Sequence, residues 1–115
     1  MTINSITLAG RLGHDPEIKY LESGMVVAKF SLAVDRGNSK KETDWFSCTA
    51  FGKTAEAIAN YVRKGKPLGV EGSLAESQWN DKATGVLRTK LEININRIFF
   101  LPSDGRKEAG DISNF

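Results

Sequence analysis

Two large aromatics, Trp45 and Phe51, stand six residues apart in the segment Asp44-Trp45-Phe46-Ser47-Cys48-Thr49-Ala50-Phe51. Alternate side chains of an extended strand point to opposite faces. Trp45, Ser47, Thr49 and Phe51 therefore share one face, and Phe46, Cys48 and Ala50 share the other. The second set reads as core. The first holds two flat rings with only small hydroxyls between them, and Gly52-Lys53 puts a cation beside the second ring. Rings on which bases stack, beside cations that neutralise phosphates, are the chemistry of single-stranded nucleic-acid binding. Aromatics on a strand also serve as core beneath another sheet, and spacing alone leaves that alternative open.

Other chemistry finds less support. The single cysteine, Cys48, excludes an intramolecular disulfide framework, and its place on the core face makes it a small buried hydrophobe. Cys48 and His14 lack a third group to orient them as a thiol–imidazole pair. A lone His supplies one metal ligand where a site needs several, so His14 reads as a turn residue. The chain has no phosphate-cradling Gly loop, no carboxylate cluster for a nuclease metal and no metal-ligand spacing. The expectation is a protein that is not an enzyme and uses no cofactor.

The elements that must position these residues follow from length and pattern. A chain of 115 residues makes one domain, and eleven glycines against three prolines suit a turn-rich all-β fold. The formal net charge of +2 is weak evidence for a polyanion partner, but it is uneven: residues 1–103 carry 14 Lys/Arg and 11 Asp/Glu, and residues 104–115 carry 2 and 3. With no charged and apolar leader and no apolar stretch of spanning length, the chain reads as soluble and intracellular.

Ile3–Leu12 is β-favouring, with Gly10 suggesting a bulge or a close backbone approach. Leu12-Gly13-His14-Asp15-Pro16-Glu17 is a turn, after which Ile18-Lys19-Tyr20 resumes the strand. Residues 25–34 alternate as a second strand, 36–43 form a polar loop with Arg36, Lys40 and Lys41, and 44–51 is the third strand. Ala55, Ile58, Ala59 and Val62 mark a helix over residues 53–64, with Thr54 as N-cap and Gly65 as its stop. Residues 67–79, with Gly72 a candidate bulge, and 86–98 make a hairpin of two further strands. Leu91, Ile93 and Ile95 are expected on its buried face. Three strands, a helix and two strands is the order of an OB-fold, a five-stranded Greek-key barrel with one α-helix between strands 3 and 4.

Several runs carry a resemblance. Gly10-Arg11-Leu12-Gly13-His14-Asp15-Pro16-Glu17 resembles the GxLGxDPE signature of bacterial single-stranded DNA-binding proteins. Asp44-Trp45-Phe46 through Phe51-Gly52-Lys53, then Ala55-Glu56 and Tyr61-Val62-Arg63-Lys64-Gly65, is similar to that family's central motif. Glu71-Gly72 and Trp79 continue it, so the resemblance covers roughly residues 3–100. It implies that Trp45 and Phe51 stack bases, that Trp79 stacks on the arm of the fourth strand, and that Lys53 contacts the backbone. Lys64, Arg88 and Lys90 are further DNA-binding candidates, although exposed helix ends and hairpins are commonly charged for solubility alone. The loop Arg36–Lys41 lacks the tryptophan many members carry there and is expected to meet phosphate through its cations Arg36, Lys40 and Lys41. The arm segment Ala75-Glu76-Ser77-Gln78 carries no positive charge, which points to a shallow salt dependence.

The resemblance further implies a homotetramer that protects single-stranded DNA in replication, recombination and repair, in the bacterial cytoplasm with the nucleoid. Residues 1–102 would form the OB domain and 103–115 a short tail. The ending Asp111-Ile112-Ser113-Asn114-Phe115 resembles the family's acidic partner-docking tip without its proline, with Asp111, Ile112 and Phe115 as the contacts; a frayed terminus without a partner is the alternative. Two rival functions share the fold: a dimeric primosome-type OB accessory, and an OB protein-interaction module with its aromatics in a subunit interface.

Overall fold

The computed structural model describes residues 1–102. Six strands and one helix follow in the order β1 (Ile6–Leu12), β2 (Glu17–Tyr20), β3 (Val26–Asp35), β4 (Thr43–Phe51), α1 (Gly52–Tyr61), β5 (Pro67–Asn80) and β6 (Leu87–Phe100). The sheet runs β1-β5-β6-β4-β3-β2, and an added β1–β3 pairing, Arg11↔Ala33 and Leu12↔Leu32, closes it into a ring. β1 and β2 are the two halves of the expected first strand, broken at the 13–16 turn. The closed ring and the helix between the third and fourth barrel strands are those of the OB-fold.

Alternation explains the core. Ala28, Phe30 and Leu32 of β3 meet Cys48 and Ala50 of β4, Leu68 and Val70 of β5, and Ile93 and Ile95 of β6. Ala55 and Ile58 on one stripe of the helix, with Val62 just past its end, plug the barrel. Phe46 is only partly buried and packs against this cluster.

Two glycines allow the barrel to close. A Cβ on Gly10 would fall on the carbonyl oxygen of Ala33, so β1 crosses β3 at backbone contact. A Cβ on Gly72 would meet the carbonyl of Asn94, where the β5–β6 register slips between Glu71 and Gly72. Both expectations, close approach at Gly10 and bulge at Gly72, are met.

Three details differ from the sequence reading. The helix ends at Tyr61, where Val62 turns extended, and it starts on Phe51 with no side-chain cap; Thr54 already lies inside the first turn. Gly65 takes its positive φ of 81° in the following turn instead. Leu91 is exposed, because β5 and β6 outrun the barrel as a two-stranded arm and the core ends at Ile93. Among the described residues no helix is long and apolar enough to cross a membrane.

Candidate nucleic-acid interface

The pairing register gathers the aromatics. Across β3 and β4 the outward pairs are Val27↔Phe51, Lys29↔Thr49, Ser31↔Ser47 and Ala33↔Trp45. The parallel β4–β6 pairing sets Thr49 beside Asn94. From Asn94 the same face continues along the arm through Ala75↔Glu92, Ser77↔Lys90 and Trp79↔Arg88. Trp45, Phe51 and Trp79 thus lie on one continuous surface, 60%, 48% and 47% exposed. Between the two rings of β4 the small Ser47 and the buried Thr49 form a floor.

Two adjoining clefts cross that floor. One, of about 300 Å³, runs from His14, Asp15 and Glu17 over Ser31 and Ser47 to Lys90 and Glu92. The other, of about 440 Å³, has Phe51 and Leu21 among its walls, with Lys19 and Asn94. Lys29, Thr49 and Glu92 border both, so they form one groove. Lys19 and Lys29 were not singled out from the sequence. Lys29 is brought in by its register with Thr49, which needed the length of the intervening loop to fix. The groove also carries carboxylates that sequence reasoning missed. Glu92, which accepts a 3.0 Å hydrogen bond from the Ser77 hydroxyl, sits with Lys29 and Lys90 on the first cleft.

The cations divide by type. Among the described residues every ion pair is made by an arginine: Arg36 with Asp44 and Glu42, Arg88 with Asp81, and Arg97 with Glu71. Arg36 grips Asp44 with Nε and Nη2 at 3.1 and 2.9 Å, which ties the base of the β3–β4 loop. That hydrogen bond, with the guanidinium charge, holds the Asp44 carboxyl below the usual carboxylate range and raises Arg36. Arg88 bonds Asp81 at 3.2 Å across the arm's turn. Lys40 and Lys41 are exposed on the loop, with Lys41 held at a φ of 56° that a residue with a side chain adopts at a cost. Lys53 is exposed at the start of α1 next to Phe51, where the uncapped first turn presents backbone N–H groups and a partial positive charge. The lysines make no salt bridge among the described residues.

The signature turn is braced against the segment after the helix. Asp15 Oδ1 accepts from the Lys64 backbone N–H at 2.7 Å, the Gly65 N–H donates to the Leu12 carbonyl at 2.9 Å, and Arg11 Nη1 donates to the Gly65 carbonyl at 2.8 Å. Lys64 therefore holds the turn through its backbone, with its side chain exposed.

Cys48 is buried, and desolvation pushes its thiol up to about 12, away from nucleophilic use. Asp111, Ile112 and Phe115 lie outside the described residues.

Residues 3–101 match the single-strand binding protein family. The chain belongs to that family. It is 45% identical over 117 residues to single-stranded DNA-binding protein 1 of a Synechocystis species, a match spanning 100% of this chain and 97% of the relative. Identity to single-stranded DNA-binding protein 1 of a Nostoc species is 44% over 110 residues, covering 96% and 92%. With the single-stranded DNA-binding protein of Borreliella burgdorferi it is 42% over 102 residues, covering 84% and 68%. Membership makes this a binding protein of the OB type, and the groove is the surface of the described barrel that fits that role.

Proposed function

We propose that the protein coats single-stranded DNA without reading its sequence. The observation that carries this reading is the single outer face that presents Trp45, Phe51 and Trp79 beside lysines that make no salt bridge among the described residues. Bases stack on the three rings, and every base has a π-face, so sequence matters little. Lys53, Lys90, Lys40 and Lys41, joined by Lys19 and Lys29 in the groove, neutralise phosphates, with Lys64 at the braced turn. Arg36 and Arg88 spend much of their charge on Asp44, Glu42 and Asp81, so their share of phosphate binding is smaller.

The family role is protection of exposed strands in replication, recombination and repair, in the bacterial cytoplasm with the nucleoid. A homotetramer is part of the same reading. Leu74, Leu87 and Leu91 are exposed on the face of the arm opposite Trp79, an apolar surface a second copy would cover. Asp111, Ile112 and Phe115, in the 103–115 tail, are proposed to dock replication and repair proteins.

Titration with oligo(dT) of increasing length, followed by tryptophan emission at low and high salt, tests the reading. Quenching that saturates at tens of nucleotides per oligomer and weakens with salt is the expected result. Emission indifferent to the oligonucleotide would place the rings in an interface and favour the interaction-module reading.

A further inference from the structure

We infer that Gly13 is a positioning residue for DNA binding: its missing side chain is the seat on which the Trp45 indole rests. A Cβ built at Gly13 would lie 2.5 Å from Trp45 Cζ3 and 2.9 Å from Cη2, the outer edge of the six-membered ring. Gly13 does not take the positive φ that would otherwise call for glycine. Its lack of a side chain is therefore demanded by the ring and not by the backbone.

The register explains how the two meet. Trp45 lies opposite Ala33 on β3, and Ala33 lies opposite Arg11 on β1. Gly13, two residues beyond Arg11, faces the same way and donates its N–H to the Ser31 carbonyl at 3.3 Å. The indole thus reaches over β3, across a surface kept low by Ala33 and Ser31, and stops against the turn.

Which partner would yield to a methyl group decides the consequence. The turn is pinned on two sides: to β3 through Gly13 N–H, and to residues 64–66 through Asp15, Leu12 and Arg11. The ring is the far end of a side chain that is 60% exposed. The ring moves and the backbone stays. Gly13→Ala should therefore keep the fold while turning the indole away from the orientation in which a base stacks on it.

The inference rests on the stacking role proposed for Trp45, and a double-mutant cycle separates the two. Affinity for fluorescein-labelled oligo(dT) is measured for wild type, Gly13→Ala, Trp45→Ala and the pair, with thermal unfolding as the control for folding. Gly13→Ala is expected to weaken binding about fivefold or more, the loss of roughly one stacked base at its lower bound. The pair should bind no more weakly than Trp45→Ala alone, because the seat has nothing left to hold. In a Trp79→Phe background Trp45 is the one remaining indole, and Gly13→Ala should shift its emission before any DNA is added.

If Gly13→Ala binds as wild type does, or if its loss multiplies with that of Trp45→Ala, the seat is overturned and the stacking role of Trp45 survives. If Trp45→Ala itself binds unchanged, the stacking role fails and the seat with it. Should Gly13→Ala not fold, the pair decides. A folded pair that binds like Trp45→Ala supports the seat, and a pair that also fails to fold overturns it.

Discussion

At the scale of single residues, rings and cations do separable work. Stacking on Trp45, Phe51 or Trp79 displaces few counterions, whereas each lysine–phosphate contact releases about one. Replacing one of the three aromatics by Ala should cost about 1–3 kcal/mol of oligo(dT) affinity and leave the slope of log K against log salt nearly unchanged. Replacing Lys29 or Lys90 by Ala should instead reduce that slope by about 0.7, the value per phosphate contact for single strands. Binding isotherms over a range of salt distinguish the two, and a ring variant that flattened the slope would contradict the assignment. Glu92 belongs to the same argument with the opposite sign: Glu92→Gln takes a negative charge out of the groove and should tighten binding. Arg36 makes a different prediction. It lowers Asp44 by hydrogen bond and charge, so their contact is intact above the ordinary carboxylate range and is lost only as pH falls through the lowered value of Asp44. Arg36→Ala should move the Asp44 midpoint upward, which an NMR titration of the carboxyl carbon measures.

At the scale of elements, glycine marks where strands cross, and the atom it faces sets the penalty for filling it. Gly10→Ala pushes a methyl into the carbonyl of Ala33, where backbone opposes backbone and neither strand can give without opening the barrel. It should destabilise the protein by about 3 kcal/mol in urea unfolding, at the upper end for overpacking. Gly13→Ala opposes a movable ring and should cost far less. The sequence made much of this legible. Strict alternation assigned the outer face of β4, and Gly10 and Gly72 announced a close approach and a bulge. What it left out depends on pairing between distant strands. Lys29 enters the groove only through its register with Thr49, and Glu92 only through Thr49↔Asn94 and the arm. Arg36 drew notice as a phosphate ligand by charge alone, while its internal partners Asp44 and Glu42 become visible when the loop closes. Leu91 alternated correctly, yet alternation does not say where the barrel ends and the arm begins. The helix cap failed for a related reason: β4 runs directly into α1, so Phe51 and not Thr54 became the first capping position.

At the scale of the whole molecule, the arm gives the barrel two unlike faces. One side extends the groove through Trp79, Arg88, Lys90 and Glu92. The other extends the parity of the core beyond the point where the barrel can cover it, through Leu74, Leu91 and Leu87. Charged residues on that second side would be the cheaper choice for a lone barrel in water, so its leucines argue for burial against another copy. An OB-fold holds about 4–16 nucleotides, so a strand that saturates at tens of nucleotides per particle needs several copies side by side. One variant links the apolar face to the expected saturation length. Leu87→Glu with Leu91→Glu touches neither Trp79 nor the lysines, and the barrel core ends at Ile93, so the monomer should stay folded. Sedimentation should show the assembly falling to smaller species. The same protein should still quench with a short oligo(dT), while its saturation length drops in proportion to the mass. Loss of assembly with an unchanged saturation length would mean that each copy binds alone and that the arm serves some other contact.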